Sequence, residues 1–136
     1  MEEFEYQFTV LESHLDTFGH VNNATYLTLF EEARWDIITR RGWGLKEVMK
    51  KKIGPVILEA NIKFKKEVTN RELITVKSSC GESLNKLVMT FHQEMIKEDG
   101  SVAAILDLRV GLMDLAQRKL IEPTPEWRHA IGLKEV

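Results

Sequence analysis

The chain has 136 residues, of which 43% are hydrophobic and 29% charged, with a formal net charge of −2. Such a composition belongs to a folded globular protein, and it excludes a disordered chain and the basic footprint that nucleic acid requires. No apolar run approaches the roughly 20 residues of a membrane span, and a lone cysteine, Cys80, leaves no internal disulfide or multi-cysteine metal site.

Residues 4–11 place Phe4, Tyr6, Phe8 and Val10 on one face and Glu5, Gln7 and Thr9 on the other, the period of a half-buried strand. A polar loop with Asp16, Gly19, His20, Asn22 and Asn23 follows. It runs directly into a helix whose Tyr26, Leu29, Phe30, Ala33 and Ile37 share one face. Leu27, Trp35 and Ile38 extend the apolar surface, so the helix is expected to be buried on most sides. Asn22 or Asn23 can cap its start, because an Asn side-chain oxygen accepts a free first-turn N–H. Arg40 and Arg41 suit its negative end, and Gly42 can take the left-handed conformation that stops it.

A short helix is expected over 45–51. Four more strand patterns follow, in 56–65, 72–80, 87–95 and 102–112. In the first of these, Val56, Leu58, Ala60, Ile62 and Phe64 alternate with polar residues. Glu98-Asp99-Gly100 marks a hairpin between the last two. Glu126 to Ile131 forms a closing helix after Pro123 and Pro125. Short turns imply antiparallel neighbours. The expected architecture is therefore α+β, a five-stranded antiparallel sheet wrapped around one long buried helix, in a single domain spanning residues 1–136. Ile57, Val88 and Ile105 fall on the face that should be polar, a hint of oligomerisation. The acidic N-terminus is unlike a basic secretory signal, which points to the cytoplasm.

The loop carries the chemistry. Asp16, a few residues before a helix start, has the chemistry of a nucleophile or of a general base for water, although Asp also favours turns for its own sake. The backbone N–H of Asn23, if free at the helix start, points along the positive end of the dipole and can hold a developing oxyanion. His20 has three open roles: hydrogen-bonding Asp16, polarising a water or contacting a carbonyl. Without a second histidine at ligand spacing it does not mark a metal site. Glu31 is either a buried carboxylate aimed at a polar group or part of a solvated face. Cys80 reads as a small core residue.

The linear pattern Asp16-x-x-x-His20-Val21-Asn22-Asn23-x-x-Tyr26, followed by Glu31-Glu32-Ala33-Arg34, resembles the active-site segment of the hotdog-fold acyl-CoA thioesterases. It is similar to the 4-hydroxybenzoyl-CoA thioesterase-like branch, and within that to the bacterial long-chain acyl-CoA thioesterase III type. The resemblance implies a hotdog fold and an acyl-CoA thioester hydrolase without metal or cofactor. It also implies a homodimer or homotetramer with active sites at the subunit interface. Carried over residue by residue, it makes Asp16 the catalytic acid, Asn23 the donor to the thioester carbonyl, His20 the signature histidine and Glu31 a secondary acid. Tyr26, Leu29, Phe30, Ala33 and Trp35 are expected to wall an acyl channel, and Lys63, Lys65 and Lys66 to meet the phosphates of CoA, with Lys86 at another strand edge. One departure is Phe18, which stands where the related plant acyl-carrier-protein thioesterases have a catalytic Asn. Competing readings are an acyl-carrier-protein or aryl-CoA thioesterase and a non-catalytic acyl-binding domain.

Overall fold

The computed structural model describes residues 2–133. Its elements in chain order are β1 (Glu3–Thr9), α1 (Asn23–Arg40), α2 (Leu45–Lys51), β2 (Ile53–Phe64), β3 (Leu73–Ser83), β4 (Val88–Ile96), β5 (Val102–Asp114), β6 (Lys119–Ile121) and α3 (Pro125–Ile131). A single antiparallel sheet runs β1-β3-β4-β5-β2, with β6 paired to the end of β5. The sheet thus has six strands rather than five. The extra one is a three-residue return, made where Asp114 caps a tight turn by accepting from the N–H groups of Ala116 and Gln117.

Alternation in β3, β4 and β5 builds the core. Ile74, Val76, Ser78 and Cys80, then Met89, Phe91, Gln93 and Met95, then Ala104, Leu106, Leu108, Val110 and Leu112 are all buried on the face toward α1. The helix answers with Tyr26, Leu29, Phe30, Ala33, Ile37 and Ile38. This is the hotdog arrangement, a curved antiparallel sheet around one long helix. The enclosure is one-sided: Leu27, Thr28, Glu31 and Glu32 are exposed, because the sheet curls around only the apolar face of the helix. Asn22 is the N-cap, its side chain accepting from the N–H of Ala24. At the other end Gly42 sits at φ 96°, and the N–H of Trp43 returns to the carbonyl of Ile38 at 2.7 Å, closing the helix.

Strand β2 departs from its expected alternation. A β-bulge at Leu58 shifts the register between Ile57 and Glu59 against β5. Before the bulge Pro55 and Ile57 pair with Leu112 and Val110 on the inner face. After it, Ala60, Ile62 and Phe64 pair with Leu108, Leu106 and Ala104. Ile57 therefore turns inward because of the bulge and is no longer an apolar residue on the polar face. Strand β2 is also the open edge of the sheet, with Ile57, Leu58 and Phe64 44%, 46% and 51% exposed.

Helix α3 closes the end of the core near the C-terminus of α1. Thr124 caps it by accepting from the N–H of Trp127, Pro125 occupies its first turn, and Trp127 packs edge-on against Trp43.

Candidate active site

The loop before α1 is built around Asp16. The Gly19 N–H donates to the Asp16 carbonyl at 3.1 Å to close a turn, and Gly19 itself takes φ 81°, a conformation that glycine adopts without strain. One side-chain oxygen of Asp16, Oδ1, accepts from the N–H groups of Phe18 at 2.9 Å and His20 at 3.3 Å. The turn-forming role uses that oxygen alone: Oδ2 has no hydrogen-bond partner among the described residues. The loop is stitched to the segment after β2: the Val21 N–H donates to the Val68 carbonyl at 2.9 Å, and His20 bridges Thr69.

The start of α1 leaves one donor unspent. Asn22 and Asn23 both direct their side-chain oxygens to the N–H of Ala24, at 2.9 and 3.0 Å. The N–H groups of Thr25 and Tyr26 donate to the Asn22 carbonyl. The Asn23 N–H has no acceptor among the described residues, and it stands at the positive end of an 18-residue helix.

Asp16, His20, Asn23, Tyr26 and Lys65 line one cavity of about 330 Å³, together with Val21, Phe64, Lys66 and Glu67. His20 does not bond the Asp16 carboxylate through its ring. Its Nε2 pairs with Glu67 at 3.2 Å, a partner 47 positions away that only the fold supplies. Tyr26 is buried against Phe64, ring centroids 5.0 Å apart, and burial pushes its phenol upward.

Six of the expected residues fall elsewhere. Phe30 is fully buried and lines no cavity, because its position one turn after Tyr26 points it into the sheet. Lys63 pairs with Ile105 on the outer face, opposite in alternation to Ile62 and Phe64. Glu31 lies two turns down α1 and lines a second, separate cavity of about 100 Å³. Trp35 lines that second cavity too, whereas Leu29 and Ala33 are core. Cys80 is buried there, its thiol pushed up to about 11 by burial, which leaves it unfit as a nucleophile.

A hotdog sheet with an acidic loop feeding the helix N-terminus defines a class of enzyme that acts on thioester bonds. The Thioesterase-like superfamily matches residues 10–131, and the chain belongs to it. It is 27% identical over 125 residues to the long-chain acyl-CoA thioesterase FadM of Escherichia coli (strain K12), covering 92% of this chain and 94% of that protein. Among solved structures it is similar to YbaW, a probable thioesterase from Escherichia coli, with a TM-score of 0.81 and 28% identity over 95% of this chain and 96% of that one. SAV2348 from Staphylococcus aureus, solved in complex with CoA, shares the fold with a TM-score of 0.87 at 18% identity, covering 96% and 82% of the two chains. No helix among the described residues is long and apolar enough to cross a membrane.

Proposed function

We propose that the chain hydrolyses acyl-CoA thioesters, and that Asp16 and the Asn23 N–H act on the two sides of the thioester carbonyl. The observation that carries this reading is the pairing, in one cavity, of a carboxylate with one unspent oxygen and a helix-terminal N–H with no acceptor. As general base, Asp16 takes a proton from water while the water oxygen attacks the carbonyl carbon. The carbonyl electron pair moves to oxygen and is held by the Asn23 N–H and the helix dipole. Collapse expels the CoA thiolate, which recovers a proton, leaving a carboxylic acid and free CoA. As nucleophile, Asp16 instead attacks the carbonyl carbon and the C–S bond breaks to expel the CoA thiolate, leaving a mixed anhydride that water then opens to the free acid and Asp16.

His20 is held by Glu67 beside the Asp16 backbone cage and acts in support, through the loop's shape and substrate contact. Lys65 and Lys66 line the cavity and supply positive charge for CoA phosphates. The FadM and SAV2348 similarities favour CoA over a carrier protein, and Phe18 in place of an Asn points the same way. The FadM similarity favours a fatty acyl group.

The active form is a dimer joined along β2. The support is the open edge of that strand, its exposed Ile57, Leu58 and Phe64, and the position of Phe64 and Lys65 on the wall of the site.

Thiol release from a series of acyl-CoAs, measured with a thiol-reactive dye, tests the function. Release from fatty acyl-CoAs that is lost in Asp16→Asn is the expected result. No release from any acyl-CoA would leave an acyl-binding domain without catalysis in its place.

A further inference from the structure

The second cavity is walled mainly by apolar groups, among them Trp35, Ile38, Ile57, Met89 and Phe91, yet Arg34 stands in its lining. Arg34 is partly buried, and burial pulls its pKa below the ordinary guanidinium value, with only Glu31, one turn back, opposing this. No carboxylate among the described residues pairs with it. Of its five N–H donors, one is spent: Nη1 donates to Gln93 Oε1 at 2.9 Å.

That contact is held firmly in place. Gln93 is fully buried, and its Nε2 donates to the Phe30 carbonyl at 3.1 Å and to Ser78 Oγ at 3.0 Å, so its oxygen is turned toward Arg34. A buried three-residue chain thus fixes a cation at the edge of an apolar space. Trp127, also in the lining, adds a second donor, a buried indole N–H with no acceptor among the described residues. The buried Trp127 N–H is unfavourable where it stands unless an occupant brings an oxygen, and the remaining Arg34 donors, which are not fully buried, are open to the same occupant.

The helix links this cavity to the catalytic loop. Asn23, Leu27, Glu31, Arg34 and Ile38 fall within about 80° of arc on α1, at roughly 100° per residue. Leu27 and Glu31 on that stripe are exposed, and the stripe runs from the helix start to the lining of the cavity. Arg34 lies about 16 Å along the axis from Asn23 at roughly 1.5 Å per residue.

We propose that Arg34, positioned by Gln93, recognises an oxygen acceptor near the far end of the acyl chain. The preferred substrates are then fatty acyl-CoAs oxygenated at the distal end, as ω-hydroxy or ω-carboxy chains. This rests on the acyl-CoA thioesterase reading above and narrows its substrate class.

The test compares kcat/KM for plain, ω-hydroxy and ω-carboxy acyl-CoAs from decanoyl to hexadecanoyl, in the wild type and in Arg34→Met and Arg34→Lys. The expected result is a preference of about tenfold for an oxygenated chain at an intermediate length, the scale of one hydrogen bond to a charged group. Arg34→Met should bring that ratio to about one, and Arg34→Lys should keep part of it. The hydroxy and carboxy arms tell whether a neutral or an anionic oxygen is read. A wild-type ratio at or below one at every length overturns the proposal even if Arg34→Met fails to fold. So does a ratio that survives in Arg34→Met, since a tie between helix and sheet would not sense the distal group. If no chain of any kind is hydrolysed, the thioesterase reading fails; if plain chains are hydrolysed without preference, only this inference fails.

Discussion

At the scale of single residues, Asp16 is the most divided side chain in the molecule. One oxygen holds the loop through the N–H groups of Phe18 and His20, while the other has no partner among the described residues. Asp16→Ala and Asp16→Asn are expected to lower kcat by at least about a hundredfold, the usual scale for losing a general base or nucleophile. Near-wild-type turnover in a soluble Asp16→Ala protein would end that assignment. His20→Ala should cost less and act mainly on KM, because its ring pairs with Glu67 and not with the carboxylate of Asp16. Single-turnover hydrolysis in labelled water tests for an anhydride opened at the Asp16 carbonyl. A first-turnover acid carrying no label requires the anhydride, whereas uniformly labelled acid fits water attack at the carbonyl. Away from the site, His92 on the outer face of the sheet lies between Asp107 at 2.6 Å and Glu94 at 3.1 Å. Burial draws its pKa down, but the bonds and charges of the two carboxylates more than reverse this, so the net shift is upward. A raised folded pKa contributes stability fully below the unfolded value of ~6.5 and loses it as pH rises through the folded value. The melting temperature of the wild type minus that of His92→Gln should therefore be largest near ~pH 6 and shrink above neutrality. Partial exposure of the ring keeps the difference small. A difference that does not vary across this range would rule out the linkage.

At the scale of elements, the start of α1 joins stability to chemistry. Asn22 closes the helix by accepting from the Ala24 N–H, and that leaves the Asn23 N–H as the one first-turn donor without an acceptor among the described residues, on a residue that lines the cavity. Replacing Asn22 with Ala is expected to cost about 1 kcal/mol of stability, the usual loss for an N-cap. Turnover should fall at the same time, because a frayed first turn no longer aims the Asn23 N–H. Denaturant unfolding and kcat measured on one preparation check both; a loss of stability with unchanged kcat would argue against Asn23 as the oxyanion donor. The helix itself was legible from the spacing of Tyr26, Leu29, Phe30, Ala33 and Ile37, all of which are buried. The bulge at Leu58 was not legible. A run that alternates as well as Val56 to Phe64 carries no local mark of one inserted residue, and the pairing with β5 alone reveals it.

At the scale of the whole molecule, β2 presents a long open edge beside the site, and an edge of that kind is a template for pairing with another strand. Leu58→Lys places a charge on it. Sedimentation should report a shift from dimer to monomer, and activity should fall with it if the partner completes the site. A Leu58→Lys protein that remains dimeric would place the interface elsewhere.

The sequence by itself determined the helix, the succession of strands along the chain and the loop whose spacing joins Asp16, His20 and Asn23, because these depend on period, turn chemistry and neighbours a few residues apart; that β2 leaves its chain neighbour β3 to pair with β5 was not among them. Only the tertiary structure decided that His20 meets Glu67, that Ile57 turns inward and that Arg34, bonded to Gln93, lines an apolar cavity. Each of these turns on strand register or on partners dozens of positions apart. A one-residue change in register moves a side chain to the other face of the sheet, and local pattern cannot specify it.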